Sequence, residues 1–159
     1  MIRSEYSLNL DYSTPLGEVC SQFMLGLKER RLLGNRCLHC DRLYVPARPF
    51  CDMCCEDTGE LAEVEPLGTV VTFTVYNIRT ENLPDPPFAQ GIIKIGDAAN
   101  SFLHFLGGIQ FTDAKDLRSQ IHIGMQVCPV WAAERNGSIL DITHFAPAES
   151  IQGRKQDGT

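Results

Sequence analysis

The chain has 159 residues, 43% of them hydrophobic, a formal net charge of −6 and a sequence pI of about 5.1. That length holds one ordinary domain with an appendage, or two very small ones, and the apolar content suffices for a real core. The acidic balance argues against a protein that lives on a phosphate backbone, and no apolar stretch approaches the roughly 18–20 residues of a membrane helix. Seven cysteines, an odd number, point to a reducing compartment. The opening residues Met1–Leu8 lack the apolar run of a signal peptide, so a cytoplasmic protein is expected.

Residues 1–13 show no periodicity and read as an extended arm. Thr14-Pro15 then supplies a hydroxyl at N-cap and a proline at N1, with Glu18 in the first turn. Leu16, Val19, Cys20, Phe23 and Leu27 follow at helical spacing, and Gly34-Asn35 gives a stop signal. The pattern predicts a helix over residues 15–33, with Gly26 costing roughly 1 kcal/mol against alanine in its interior. Its apolar stripe either packs on its own domain or docks a partner. The first is the commoner use of such a face.

Next comes Cys37-Leu38-His39-Cys40, ten residues, then Cys51-Asp52-Met53-Cys54. Two Cys-x-x-Cys pairs in a short loop-rich segment form two tight knuckles, which together close a four-coordinate thiolate shell around zinc. A redox dithiol needs only one such pair, at the start of a helix in a strand–helix unit. Cys55 also lies at ligand spacing from Cys51. Cys54 is preferred because it mirrors the first knuckle, but the choice stays open. His39, inside the first knuckle, is superfluous where four cysteines are at hand. Cys20 and Cys128 read as small core residues. Leu43-Tyr44-Val45 is a short strand running into Pro46 and Pro49, and the acidic stretch from Glu56 to Glu65 separates the ribbon from the rest of the chain.

From Gly68 the texture becomes β. Strands are expected at 69–76, 89–95, 101–106, 125–131 and 139–145, with a short helix at 113–118 and a tight hairpin at Asn136-Gly137. Five strands with a helix between the third and fourth match an OB-fold barrel. The fold class is therefore mainly β: an N-terminal arm and helix over 1–34, a zinc ribbon over 35–60, the barrel over 65–147 and a polar tail over 148–159, disordered by composition. The loop from Asn77 to Phe88, carrying three prolines, joins the first two barrel strands where OB-folds place a binding loop. It is either functional or an ordinary surface loop stiffened for stability.

No nucleophile elbow, P-loop, dinucleotide fingerprint or His-Glu-x-x-His motif occurs. His104, alternating with apolar neighbours, reads as a strand histidine with a hydrogen-bond partner. With no triad legible, the chain reads as non-catalytic by itself. Six basic residues (Lys28, Arg30, Arg31, Arg36, Arg42, Arg48) face two acidic ones between Lys28 and Arg48. Arginine forks bind phosphate well, but a solvated face offsetting the zinc–thiolate charge is the plainer explanation.

Several of these residues together resemble one family. Leu32-Leu33-Gly34-Asn35-Arg36-Cys37, the second motif Val45-Pro46-Ala47-Arg48-Pro49-Phe50-Cys51, the run Gly68 to Val75, Pro86-Pro87-Phe88-Ala89 and Ile123-Gly124-Met125-Gln126-Val127 are similar to the signature of domain-of-unknown-function family thirty-five. That family joins a rubredoxin-like zinc ribbon to an OB-fold. The resemblance covers about residues 15–147 and implies structural zinc at Cys37, Cys40, Cys51 and Cys54. It also implies an accessory subunit, associated with CoA or acyl-CoA, of a thiolase-superfamily enzyme in a heterotetramer or larger assembly. Such complexes carry out thiolysis, Claisen condensation, acyl transfer or retro-aldol cleavage, including in aromatic or steroid degradation, and the subunit stabilises its partner and helps form the CoA site.

On that reading Phe73, Arg79 and Phe88 are expected along the acyl-CoA path, and Phe23, Leu27, Arg31 and Arg48 at the docking surface. Family members often place glycine after each second cysteine, where the chain turns left-handed. Asp41 and Cys55 stand there instead, and a distorted second knuckle is expected because cysteine adopts that conformation less readily. The alternative function is a nucleic-acid-binding ribbon and OB module. Against it, residues 68–147 hold only Lys94, Lys115, Arg79, Arg118 and Arg135 as cations.

Overall fold

Helix α1 (Glu18–Lys28) buries Phe23, Gly26 and Leu27, one stripe at i, i+3 and i+4. It is shorter at both ends than the expected 15–33. Gly17, at φ 76°, breaks helical geometry before the first turn. At the other end the Arg31 N–H reaches back to the Gly26 carbonyl (2.8 Å) and the Arg30 N–H to that of Leu27 (3.0 Å), with Arg30 at φ 62°. This is a Schellman stop with arginine in place of glycine at the left-handed residue. It turns the chain four residues before Gly34. Leu32 and Leu33 are then free to enter the core from an extended segment. The computed structural model describes residues 13–81 and 83–152. Residues 1–12 of the expected arm and the tail from 153 lie outside them. Among the described residues no helix is long and apolar enough to cross a membrane.

The ribbon is a three-stranded sheet ordered β2-β1-β3, from β1 (Leu33–Arg36), β2 (Leu43–Tyr44) and β3 (Ala62–Glu63). Gly34, read from sequence as a helix stop, is the middle of this sheet. A Cβ there would lie 2.8 Å from Val45 Cγ2 and 2.9 Å from the Tyr44 carbonyl oxygen, so only glycine lets β2 approach. The acidic stretch 56–65 is more than a separator, because β3 lies within it and pairs Leu33 with Glu63 and Gly34 with Ala62.

Strands β4 (Gly68–Tyr76), β5 (Phe88–Ile95), β6 (Phe102–Leu106), β7 (Gln126–Trp131) and β8 (Ile142–Pro147) close a barrel in the order β4-β5-β6-β8-β7. Helix α2 (Ala114–Gln120) lies between β6 and β7 and is capped by the Asp113 carboxylate, which accepts from the Asp116 N–H. This is the OB architecture. Ala89, Gly91, Ile93 and Ile95 alternate inward along β5. Val70, Ile93, Val127, Ile142 and Phe145 fill the interior with no exposed surface.

Two expectations fail at the C-terminal side. Asn136-Gly137 does not close a tight hairpin: β7 ends at Trp131, and β8 begins at Ile142 after a 3₁₀ turn, Ile139–Asp141. The buried Asp141 carboxylate accepts from the N–H groups of Asn136 (3.0 Å) and Gly137 (2.8 Å), holding a wider loop in place. The tail also begins in order, since helix α3 (Ala148–Gln152) packs on β7 and β8 with Ala148 buried.

Helix, ribbon and barrel share one core. Phe23, Leu27, Leu32, Leu43 and Val45 belong to the same buried cluster as Val70, Ile93 and Phe145. Asn100, between β5 and β6, clamps the seam: its Oδ1 accepts from the Val45 N–H (2.6 Å) and its amide donates to the Pro46 carbonyl (2.8 Å).

Candidate metal centre

The Sγ atoms of Cys37, Cys40, Cys51 and Cys54 all lie within 4.8 Å of one another. Cys40 and Cys51 Sγ are 3.7 Å apart, against the edge of about 3.8 Å that a tetrahedron with Zn–S bonds of about 2.3 Å requires. The two knuckles have the same construction. The Asp41 N–H bonds to the Cys37 carbonyl (3.1 Å), and the Cys55 N–H bonds to the Cys51 carbonyl (3.0 Å). Asp41 and Cys55 sit at φ 56° and 58°. The expected distortion of the second knuckle is therefore not found, since cysteine takes the left-handed position that glycine would occupy. Cys55 is exposed and lies outside the quartet, which settles Cys54 as the fourth sulfur.

Each knuckle aims backbone donors at its first sulfur. His39 and Cys40 N–H point at Cys37 Sγ (3.4 Å each), and Met53 and Cys54 N–H point at Cys51 Sγ (3.4 and 3.5 Å). Such donors stabilise thiolate over thiol. Cys51 receives one contact more, from the Tyr44 hydroxyl at 3.1 Å, and its thiol pKa is lowered to about 6, first by that hydroxyl. Cys54 is pushed up to about 12, chiefly by its hydrogen bond with Cys40 and then by burial. Four sulfurs this close cannot all be anionic alone. A divalent cation supplies the compensating charge, and the residues fit a structural zinc.

Around the sulfurs stands a set of residues that motif reading misses. Tyr44 is fully buried; its one hydroxyl proton is shared between Asp52 and Cys51 Sγ, and the two, Asp52 first, hold the phenol well above its usual range. Arg48 lies 5.7 Å over the Tyr44 ring and 3.7 Å from Asp52. Buried Asn35 donates to the Arg48 carbonyl (2.8 Å) and Thr58 Oγ1 (2.7 Å), and accepts from the Arg48 N–H (3.1 Å). It laces the first strand to the approach of the second knuckle. Asn35 and Arg48 stand in the sequence motifs that flank the cysteines, but their hydrogen bonds follow only from the folded geometry.

Residues 26–60 match the family model for "ChsH2, rubredoxin-like zinc ribbon domain". A "DUF35 domain-containing scaffold protein" of Methanocaldococcus jannaschii is 31% identical over 104 residues, covering 64% of this chain and 68% of that protein. The chain belongs to the DUF35 family. Two solved structures share the fold. One, named Ltp2-ChsH2(DUF35) aldolase, has a TM-score of 0.61 at 24% identity, over 80% of this chain and 93% of that one. The other, a DUF35 protein of unknown function from Sulfolobus solfataricus, has a TM-score of 0.58 at 23% identity, over 72% and 78%.

The remaining site residues expected of this DUF35 chain are dispersed. Phe23 (1% exposed) and Leu27 (0%) are spent on its own core, which corrects their assignment to a docking face. Arg31 pairs with Glu63 (2.8 Å) and Glu29 (3.4 Å) and stays half-exposed, as does Arg48. Phe73 and Phe88 do not line one path. Phe88 pairs with Tyr76 across the β4–β5 ladder, and Phe73 lies three residues earlier, hence on the opposite face. Phe88 is itself buried, stacked on Tyr76 (4.7 Å) with Phe105 at its edge (5.9 Å). Phe73 is covered by the Arg118 guanidinium at 4.7 Å. Arg79 is well exposed on the 77–87 loop and pairs with Asp85 (3.2 Å).

Proposed function

We propose that this chain is the accessory subunit of a thiolase-superfamily enzyme acting on an acyl-CoA in the cytoplasm, assembled as a heterotetramer or larger. The reaction is thiolysis, Claisen condensation, acyl transfer or retro-aldol cleavage, with aromatic or steroid degradation as a setting. In this reading the thiolase-like partner carries the catalysis, while the ribbon and barrel stabilise it and help form the CoA site. The carrying observation is the 31% identity to a scaffold protein. Support comes from the surface. Leu38, Phe50 and Met53 project from the cysteine knuckles at 74%, 61% and 65% exposure. The zinc-fixed loops thus present apolar side chains beside Arg48, a composition suited to a partner protein.

On this reading Arg79, on the loop that OB-folds use for ligands, would meet the CoA phosphates. A nucleic-acid role is less well supported. The rings of Tyr76, Phe88 and Phe105, which would serve as a base-stacking platform, are packed on one another. Co-expression with a cognate thiolase-superfamily enzyme tests the reading: the two chains are expected to co-elute from gel filtration, and separate elution refutes it.

A further inference from the structure

Between the end of α1 and the β7–β8 pair lies a cleft of about 420 Å³, within the range of small-molecule sites. Its walls are apolar, from Pro129, Trp131 and Ala146, and its polar groups are Arg30, His144 and Ser150. His144 is held in a defined orientation. A Cβ on Gly107 would lie 2.7 Å from the ring, and one on Gly108 2.7 Å from Ala146, so the imidazole rests on bare backbone. Its tautomer follows from its neighbours. Thr143 Oγ1 donates its one proton to the Val130 carbonyl (2.9 Å), so it can only accept from His144 Nδ1 at 3.1 Å. The Nδ1 carries the hydrogen, and Nε2 keeps a lone pair. Burial holds His144 below the usual histidine range, so the ring is neutral at neutral pH.

Arg30 is therefore the single cation among the described residues lining the cleft. Its backbone is set by the left-handed helix stop, and its guanidinium pairs with no carboxylate among the described residues. We propose that this cleft binds a small hydroxyaryl carboxylate. Its carboxylate would lie on the Arg30 fork, its ring against the Trp131 indole, and its hydroxyl would donate to His144 Nε2. One guanidinium matches a carboxylate's two oxygens and single charge, where a phosphate dianion calls for more cations. The indole offers a flat apolar face to a ring. The site does not depend on the proposed partner.

Trp131 is the only tryptophan in the chain, so its fluorescence reports the cleft alone. Titration of the full chain with 4-hydroxybenzoate is expected to give saturable quenching. Binding should weaken about tenfold or more in Arg30→Asn, a residue that tolerates the left-handed backbone. It should weaken similarly for 4-hydroxybenzamide on the unaltered chain, a comparison that needs no variant to fold. Absence of saturation, equal binding of acid and amide, or equal competition by inorganic phosphate overturns the proposal.

Discussion

Asn100→Ala is the sharpest test of how helix, ribbon and barrel form one unit. The side chain's two bonds cross the seam: Oδ1 takes the Val45 N–H and Nδ2 reaches the Pro46 carbonyl. The orientation is forced, since Val45 N can only donate and the carbonyl can only accept. Alanine removes both partners at once, beside a fully buried valine. Leaving a buried donor and an acceptor unsatisfied costs about 1–3 kcal/mol each. Partial hydration of Pro46, which is half-buried, brings the total to about 2–4 kcal/mol. For a chain of this size each kcal/mol lowers Tm by about 2–4 °C, so a fall of roughly 5–15 °C is expected. Urea titration of the zinc-loaded protein, followed by both far-UV dichroism and Trp131 fluorescence, should shift as one transition. A change under about 0.5 kcal/mol, or two separate transitions, refutes the shared-core account.

Three further outcomes are expected. Cys54→Ser should lose stoichiometric zinc while Cys55→Ser retains one equivalent; metal analysis showing the reverse pattern would reassign the fourth ligand. Phe23→Ala should destabilise the isolated chain by about 3–5 kcal/mol, because the ring is spent in the core; a near-neutral effect in denaturant titration would return Phe23 to the docking face. Asp141 has a lowered pKa: burial pushes it up, but the N–H donors of Asn136 and Gly137 outweigh burial. A group depressed on folding stabilises above its unfolded value of about 3.9 and loses that contribution as pH falls through the lower folded value. Thermal melts of Asp141→Asn should therefore show lower stability at pH 7 and a flatter decline below about pH 4 than the unaltered chain.

Much of the architecture is legible in the sequence because it rests on local chemistry. Paired cysteines at fixed spacing dictate a four-sulfur shell whatever surrounds them, and strands such as 69–76 declare themselves by their run of β-branched and aromatic residues. Elements whose limits depend on distant atoms are not. The Thr14-Pro15 and Gly34 signals suggest a longer helix because nothing local reveals that Arg30 turns left-handed, or that β1 must lie against Val45. Asn136-Gly137 looks like a tight turn because the Asp141 carboxylate that widens the loop acts through the folded backbone. The expected ligand path joins a loop to two nearby phenylalanines, and sheet parity puts those rings on opposite faces.

Sequence by itself determined the zinc ribbon, the five strands and their closure as an OB barrel, since cysteine spacing and hydrophobic period are properties of the chain alone. Only the tertiary structure decided which surface is free. Burial took Phe23 and Leu27 off the docking face and Phe88 off the expected ligand path, and the meeting of α1's end with β7 and β8 brought Arg30, Trp131 and His144, more than a hundred residues apart at the extremes, to one cleft. Exposure and convergence depend on where distant segments pack, which no local pattern encodes.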